Sequence, residues 1–326
     1  MPLYDKKQKE KLILELVYDT SLFQSVISTE EPDFELRYKD HLTAFGVEIT
    51  ELYSSESMAR IRNIPGYVSS MISGEYKHKD DMSALPAKEF TVIKEGNTHH
   101  KKIKGLIQEK VGIEDYRKKI EECIESKNRR FDSYIENLSH VNLVIFDFED
   151  YMLGKPSDKI HSILFNQNLE RILLESDFNE IFLVTKIGSY ESPQQVYIPL
   201  KMLFLVAEAY RFNHFMVKNY KQKATELEAK EAILFAEYLK WRGVQKVFYT
   251  QEDTGCEVVY GDAGVFLDGG NKLTIRMHSD IPLGDDYKEI NNQEARKFFD
   301  KEFEQKFEED YKTSVFTSEL YYPVIT

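Results

Sequence analysis

A chain of 326 residues, 42% hydrophobic, 13% aromatic and 30% charged, carries enough apolar mass for a large core and lies far from the composition of a disordered segment. Its net charge of −13 argues against a protein that coats nucleic acid non-specifically, because phosphate binding needs lysine and arginine in number. An acidic body can still carry a basic face that steers a polyanion.

The first ten residues have no apolar signal core. The longest apolar run, near residues 200–209, is broken by Lys201 and Glu208 and is too short to span a bilayer. Cys123 and Cys256 are far apart, without metal-type spacing. These features point to a reduced, cytoplasmic chain with no membrane partner.

Residues 5–27 read as a helix, with Leu12, Leu16, Phe23 and Ile27 near helical spacing and Ile13 and Val17 beside them. Pro32 ends that stretch. Residues 33–38 read as a short strand, Lys39-Asp40-His41 as a turn and residues 43–52 as a second strand, in which Phe45, Val47 and Ile49 alternate with Gly46, Glu48 and Thr50. Residues 54–62 suggest a short helix with serine caps. Residues 77–104 read as a polar, irregular segment with a strand-like piece at 90–94, and Gly96-Asn97 and residues 99–102 as exposed loop. A long helical stretch follows over 103–137, with a break at Gly112. Residues 142–148 (Asn-Leu-Val-Ile-Phe-Asp-Phe) form an apolar run of strand length, expected to be central and buried. Residues 180–185 give another strand. The order αββ…αβ is an α/β, three-layer pattern.

Further on, residues 219–241 predict a helix capped by Gly243, and 244–249, 256–260 and 264–277 predict strands. Asp268-Gly269-Gly270-Asn271 is a hairpin signal. Residues 289–311 predict a charged amphipathic helix. The expected division is a domain over 1–211 and a C-terminal α+β unit over 212–326 that serves substrate choice or dimerisation.

Asp33 and Glu48 are the residues that carry chemistry. A phosphodiesterase that uses Mg²⁺ needs hard oxygen ligands that leave room for water. Two carboxylates on adjacent strands hold such an ion rigidly. A glutamate inside an apolar, alternating strand also calls for a partner, because burying an unpaired charge is costly. The competing readings are a loop-exit Pro-Asp and a glutamate on a solvated sheet face.

Pro32-Asp33, then Val47-Glu48-Ile49-Thr50, then a helix with Lys127 and Tyr134, then the apolar strand, resembles the restriction-endonuclease-like superfamily of PD-(D/E)xK nucleases. The resemblance covers about residues 5–150. It implies a restriction-endonuclease-like mixed sheet flanked by helices, with Asp33 and Glu48 as ligands of Mg²⁺ or Mn²⁺. It also implies an acidic helper on the first helix, for which Glu15 fits first and Glu10 second. The superfamily's lysine is expected two residues after Glu48, where this chain has Thr50. Lys127, Arg129 or Arg130 are then the sources of the missing cation and of phosphate contacts. The function implied is metal-dependent hydrolysis of DNA in a setting such as prokaryotic defence. The alternative is a catalytically inactive module that binds nucleic acid or a protein partner, with a homodimer also open.

Residues 94–130 hold eleven Lys or Arg against seven Asp or Glu, either a DNA-facing surface or a solvated helix. His41 and the His99-His100 pair read as exposed, the first close enough to touch a substrate. Asp147-Phe148-Glu149-Asp150 is either a second acidic site or local capping at a strand end. Gly261-Asp262-Ala263-Gly264 lacks a Walker lysine and reads as a hairpin turn.

Overall fold

The structure is a computed structural model, and it describes residues 5–39, 43–76, 78–93, 100–107, 111–156, 159–220, 231–252, 255–261, 263–268, 273–277, 286–290 and 301–313. Among the described residues it is a mixed α/β fold with a six-stranded and a five-stranded sheet and a separate two-stranded one.

Helix α1 (Lys6–Val17) opens with a capping box, Asp5 accepting from the Gln8 backbone and Gln8 returning the bond. The helix ends ten residues before the expected limit. Residues 20–22 form a single 3₁₀ turn, and Phe23–Ser28 is strand β1. Val26 and Ile27 are β-branched and pair with the next strand, so strand pairing overrides helical spacing there. The inward face of α1 is also not the expected one. Leu12 and Leu16 are 46% and 40% exposed, whereas Ile13 and Leu14 are buried.

Strands β2 (Phe34–Tyr38) and β3 (Phe45–Leu52) complete an antiparallel meander with β1. Helices α2 (Glu56–Asn63), α3 (Tyr67–Ser73) and α4 (Lys79–Ala84) follow, then a separate hairpin of β4 (Ala87–Ile93) and β5 (His100–Leu106). His100, Lys101 and Lys102 thus lie in a strand, not a loop. The long predicted helix is also cut down. Gly112 caps α5 (Ile113–Asn128), a short α6 (Phe131–Tyr134) follows, and residues 103–106 belong to β5.

Strand β6 (Val141–Asp147) is buried as expected and pairs in parallel with β3. Helices α7 (Ile160–Leu164) and α8 (Gln167–Glu175) cross to β7 (Ile181–Gly188), parallel to β6, and β8 (Pro193–Pro199) returns antiparallel. The sheet order is β1-β2-β3-β6-β7-β8. Phe45, Val47 and Ile49 face one core with Ile13 and Leu14 of α1. The opposite face, with Leu143 and Ile145, packs on Ile120 and Ile124 of α5.

Helix α9 (Leu200–Tyr220) takes up the apolar run and contains the expected domain boundary at 211–212. Its first turn is held by buried Glu180, whose carboxylate accepts the backbone N–H groups of Ile181, Lys201 and Met202. Helix α10 (Glu231–Trp241) covers the second half of the helix expected over 219–241; residues 221–230 lie outside the described residues. Strands β9 (Phe248–Glu252), β10 (Gly255–Tyr260), β11 (Ala263–Asp268), β12 (Leu273–Met277) and β13 (Lys288–Glu289) make an antiparallel sheet in the order β12-β11-β10-β9-β13.

The tip of the predicted 268–271 hairpin lies largely outside the described residues, but β11 and β12 pair as that hairpin requires. Gly261 turns β10 into β11 at φ 63°, and a Cβ there would fall 2.4 Å from the Asn179 carbonyl oxygen, a position that only glycine fills. Helix α11 (Lys301–Thr313) covers the second half of the helix expected over 289–311; Glu289 belongs to β13 instead, and residues 291–300 lie outside the described residues. The core is continuous through both larger sheets, from Leu143 and Leu173 to Phe235, Val258 and Phe303. Among the described residues no helix is long and apolar enough to cross a membrane.

Candidate active site

The site forms where β2 begins. Pro32 packs so close to β3 that a Cβ on Gly46 would sit 2.7 Å from the Pro32 ring and 2.8 Å from Leu138. Glycine at 46 therefore admits the proline, and the proline sets the start of β2. Phe34 pairs with Val47. One step back along that register, Asp33 stands opposite Glu48.

Both carboxylates are nearly sealed from solvent, Asp33 being 4% and Glu48 5% exposed. Asp33 Oδ2 accepts the Ile49 backbone N–H at 2.9 Å, and Lys7 Nζ lies 3.5 Å from Oδ1. Glu48 Oε1 accepts from Lys127 Nζ at 2.5 Å. Glu48 Oε2 is buried and receives no hydrogen bond. Burial, and next the charge of Asp33, push the Glu48 carboxyl above its ordinary value, while Lys127 pulls it down.

Asp33, Glu48 and Lys127 line a cleft of about 930 Å³ with Glu10, Thr50, Arg62 and Arg130; Lys7 stands behind Asp33, outside the lining. Thr50 shares the Glu48 face of β3. Arg130 is exposed at the rim, and Arg129, the residue that caps α5, is exposed and outside the lining. The acidic residue that α1 delivers is Glu10. It is buried and paired with Lys6 at 3.2 Å and Lys7 at 3.4 Å. Glu15 lies away from the cleft beside Lys11, its side chain 41% exposed. The spacing 10–13–14–17 is one helical face, so Glu10 travels with buried Ile13 and Leu14. Choosing Leu12 and Leu16 as the inward face selects Glu15 instead.

Two site residues have no role that sequence reasoning assigns. Lys7 shares the Glu10 face one turn earlier, a relation visible only once that face is known to point inward. Tyr134 belongs to the motif on the later helix. It is buried, and burial together with nearby Glu48 lifts its hydroxyl to about 12 against the pull of Arg130. The 930 Å³ cleft is walled on one side by residues 61–66, where the Arg62 guanidinium stacks 3.6 Å from the Phe148 ring centre.

Two carboxylates on adjacent strands, one with a free buried oxygen, are the donor chemistry a hard divalent cation takes, with water completing its shell. Among the described residues no three His, Cys, Asp or Glu side chains converge as a fuller metal cluster. His41 and His99 lie outside the described residues.

The acidic strand end is a different kind of feature. Asp147 accepts the Tyr116 hydroxyl at 2.9 Å, the Thr185 hydroxyl at 2.8 Å and the backbone N–H groups of Glu149 and Tyr151. Glu149 accepts from Ser54, and Asp150 pairs with Lys186 at 2.8 Å. Each carboxylate is spent on local structure. Comparison with protein-family models, curated proteins and solved structures finds no match for this chain.

Proposed function

We propose that the Asp33–Glu48 cleft is the active site of a divalent-cation-dependent nuclease that hydrolyses phosphodiester bonds of DNA. One observation carries the reading: two buried carboxylates, at the entry to β2 and inside β3, lie close enough for the charge of one to act on the other, with Glu48 Oε2 left without a donor. An orphaned buried carboxylate oxygen costs free energy unless something positive meets it. The chain order α1-β1-β2-β3-α5-β6, with an antiparallel meander followed by a parallel crossover strand, supports a restriction-endonuclease-like core.

Asp33 and Glu48 would hold Mg²⁺ or Mn²⁺, which when bound supplies charge neutralisation at the phosphate and an acidified water. Asp33 is fixed for this by the Ile49 N–H. Lys127 reaches from α5 to Glu48 and brings the cation that the superfamily sets two residues after the glutamate. There it stabilises negative charge that develops on the phosphoryl oxygens. Thr50 offers a hydroxyl to orient the attacking water, and Arg130 at the rim meets the phosphate backbone. Prokaryotic defence against foreign DNA is the setting by analogy.

Supercoiled and linear DNA incubated with purified protein and Mg²⁺, Mn²⁺ or EDTA test this. Cation-dependent cleavage that disappears in Asp33→Ala and Glu48→Ala supports the reading. Intact DNA with every cation overturns it. Thr50 at the usual lysine position favours one second reading, a nuclease-like module that binds nucleic acid or a protein partner without cutting. DNA binding without cleavage would establish that instead.

A further inference from the structure

We propose that the β4–β5 hairpin is an arm that grips nucleic acid beside the cleft, using its lysines on the phosphates and Phe90 on an unstacked base. The proposal deepens the nuclease reading and rests on it for the identity of the occupant. The hairpin is a two-stranded sheet that neither larger sheet joins, and a lone hairpin has little stability of its own in water. Phe90 and Ile103 sit directly opposite each other, each 41% exposed. Lys88, two residues from Phe90, shares their face and is exposed; Lys102 and Lys104 are exposed on the other face. Phe90 with Lys88 beside it on one face, and Lys102 and Lys104 on the other, give the arm a stacking surface with phosphate contacts on both sides.

Charge selects the occupant. Residues 87–106 carry five Lys and two Glu in a chain of net charge −13. The one ion pair among the described arm side chains, Lys102 with Glu89 at 2.8 Å, is solvent-exposed and yields readily to a phosphate. Position selects it too. Leu106 at the arm's base packs on Tyr67, Met71 and Leu85 together with Ile61 and Ile64. Ile61 and Ile64 line the cleft, so the arm springs from the cleft wall.

The test is fluorescence anisotropy of labelled duplex and single-stranded oligonucleotides with the full chain in EDTA, where hydrolysis is suppressed, across 50–200 mM salt. Neutralising Lys88, Lys102 and Lys104 together to Gln should weaken binding about tenfold at low salt and flatten the log–log salt slope, for each phosphate no longer neutralised, by about 0.9 on duplex and about 0.7 on single strands. Phe90→Ala should weaken single-stranded binding about fivefold or more. Circular dichroism and melting verify that both variants keep the wild-type fold. Unchanged affinity and slope in the lysine variant overturn the proposal, as does a wild-type chain that binds neither oligonucleotide. Self-association of the chain that Phe90→Ala abolishes while DNA affinity stays constant assigns the face to a second copy, and also overturns it. Cleavage is scored separately. Arm-dependent binding without cleavage under any cation keeps the arm and sinks the nuclease reading.

Discussion

Lys127 Nζ lies 2.5 Å from Glu48 Oε1, joining the helix after the β4–β5 arm to the strand that opens the cleft. The pair decides how Thr50 is read. A cation two residues after Glu48 would project from β3; here it arrives from α5 at the carboxylate itself. Lys127→Ala should therefore lower DNA cleavage about 10²- to 10³-fold, the range for removing one transition-state charge donor. Adding Thr50→Lys to that variant should recover part of the loss. Single-turnover cleavage rates read both. Unaltered cleavage in Lys127→Ala removes the lysine from the mechanism.

Cation binding has a readout independent of activity. Mg²⁺ or Mn²⁺ at about 100 times its dissociation constant stabilises a one-site protein by about 2.7 kcal/mol. The melting temperature of the wild-type chain should rise with cation concentration. Asp33→Ala and Glu48→Ala should melt at a temperature that the cation leaves unchanged. An equal shift in all three proteins would place the ion elsewhere.

The raised Glu48 carboxyl gives a pH signature. Burial lifts it above its ordinary value of 4.5. Between the unfolded and folded values the folded chain holds the extra proton, so folding is favoured at low pH and loses that advantage as pH rises through the folded value. Glu48→Gln keeps the neutral shape at all pH. Its stability relative to wild type should be near zero below 4.5 and grow as pH rises toward 7, while cleavage is lost. Urea unfolding across pH 4–8 measures the difference. A gap that shrinks with rising pH would mean that Lys127 outweighs burial.

Much of this site is legible in sequence because it depends on short-range register. Pro32-Asp33 and the alternating strand around Glu48 fix two positions on adjacent strands with no long-range information. The face of α1 is less legible. Ile13 and Leu14 compete with Leu12 and Leu16, and only packing on Phe34 and Val47 decides between them. Glu10 rather than Glu15 follows from that choice. The β1 strand is hidden for a related reason, since Val26 and Ile27 fit either period until β2 pairs with them. The Glu48–Lys127 ion pair spans 79 residues, and the buried charges on α8, α9 and the segment after α10 meet only in three dimensions.

Those charges support the last prediction. Glu208 is fully buried and takes the Tyr238 hydroxyl at 2.6 Å, Arg242 at 2.9 Å and Arg211 from its own helix. Arg211 and Arg242 both continue to Glu170 on α8, at 3.5 Å and 3.3 Å. His161 lies close by, and burial together with the Arg211 charge holds its imidazole down at about 4, so it stays neutral beside Arg211. Glu208→Ala takes a buried carboxylate partner from both arginines and the acceptor of the Tyr238 hydroxyl. Removing one partner of a buried ionic network costs about 3–5 kcal/mol. Urea unfolding should show that loss, and the residual fold should still bind divalent cation at Asp33 and Glu48, because the network lies outside the cleft. Glu208→Gln, which retains an acceptor, should lose less. A Glu208→Ala chain as stable as wild type would show that the network contributes nothing to joining α8, α9 and α10.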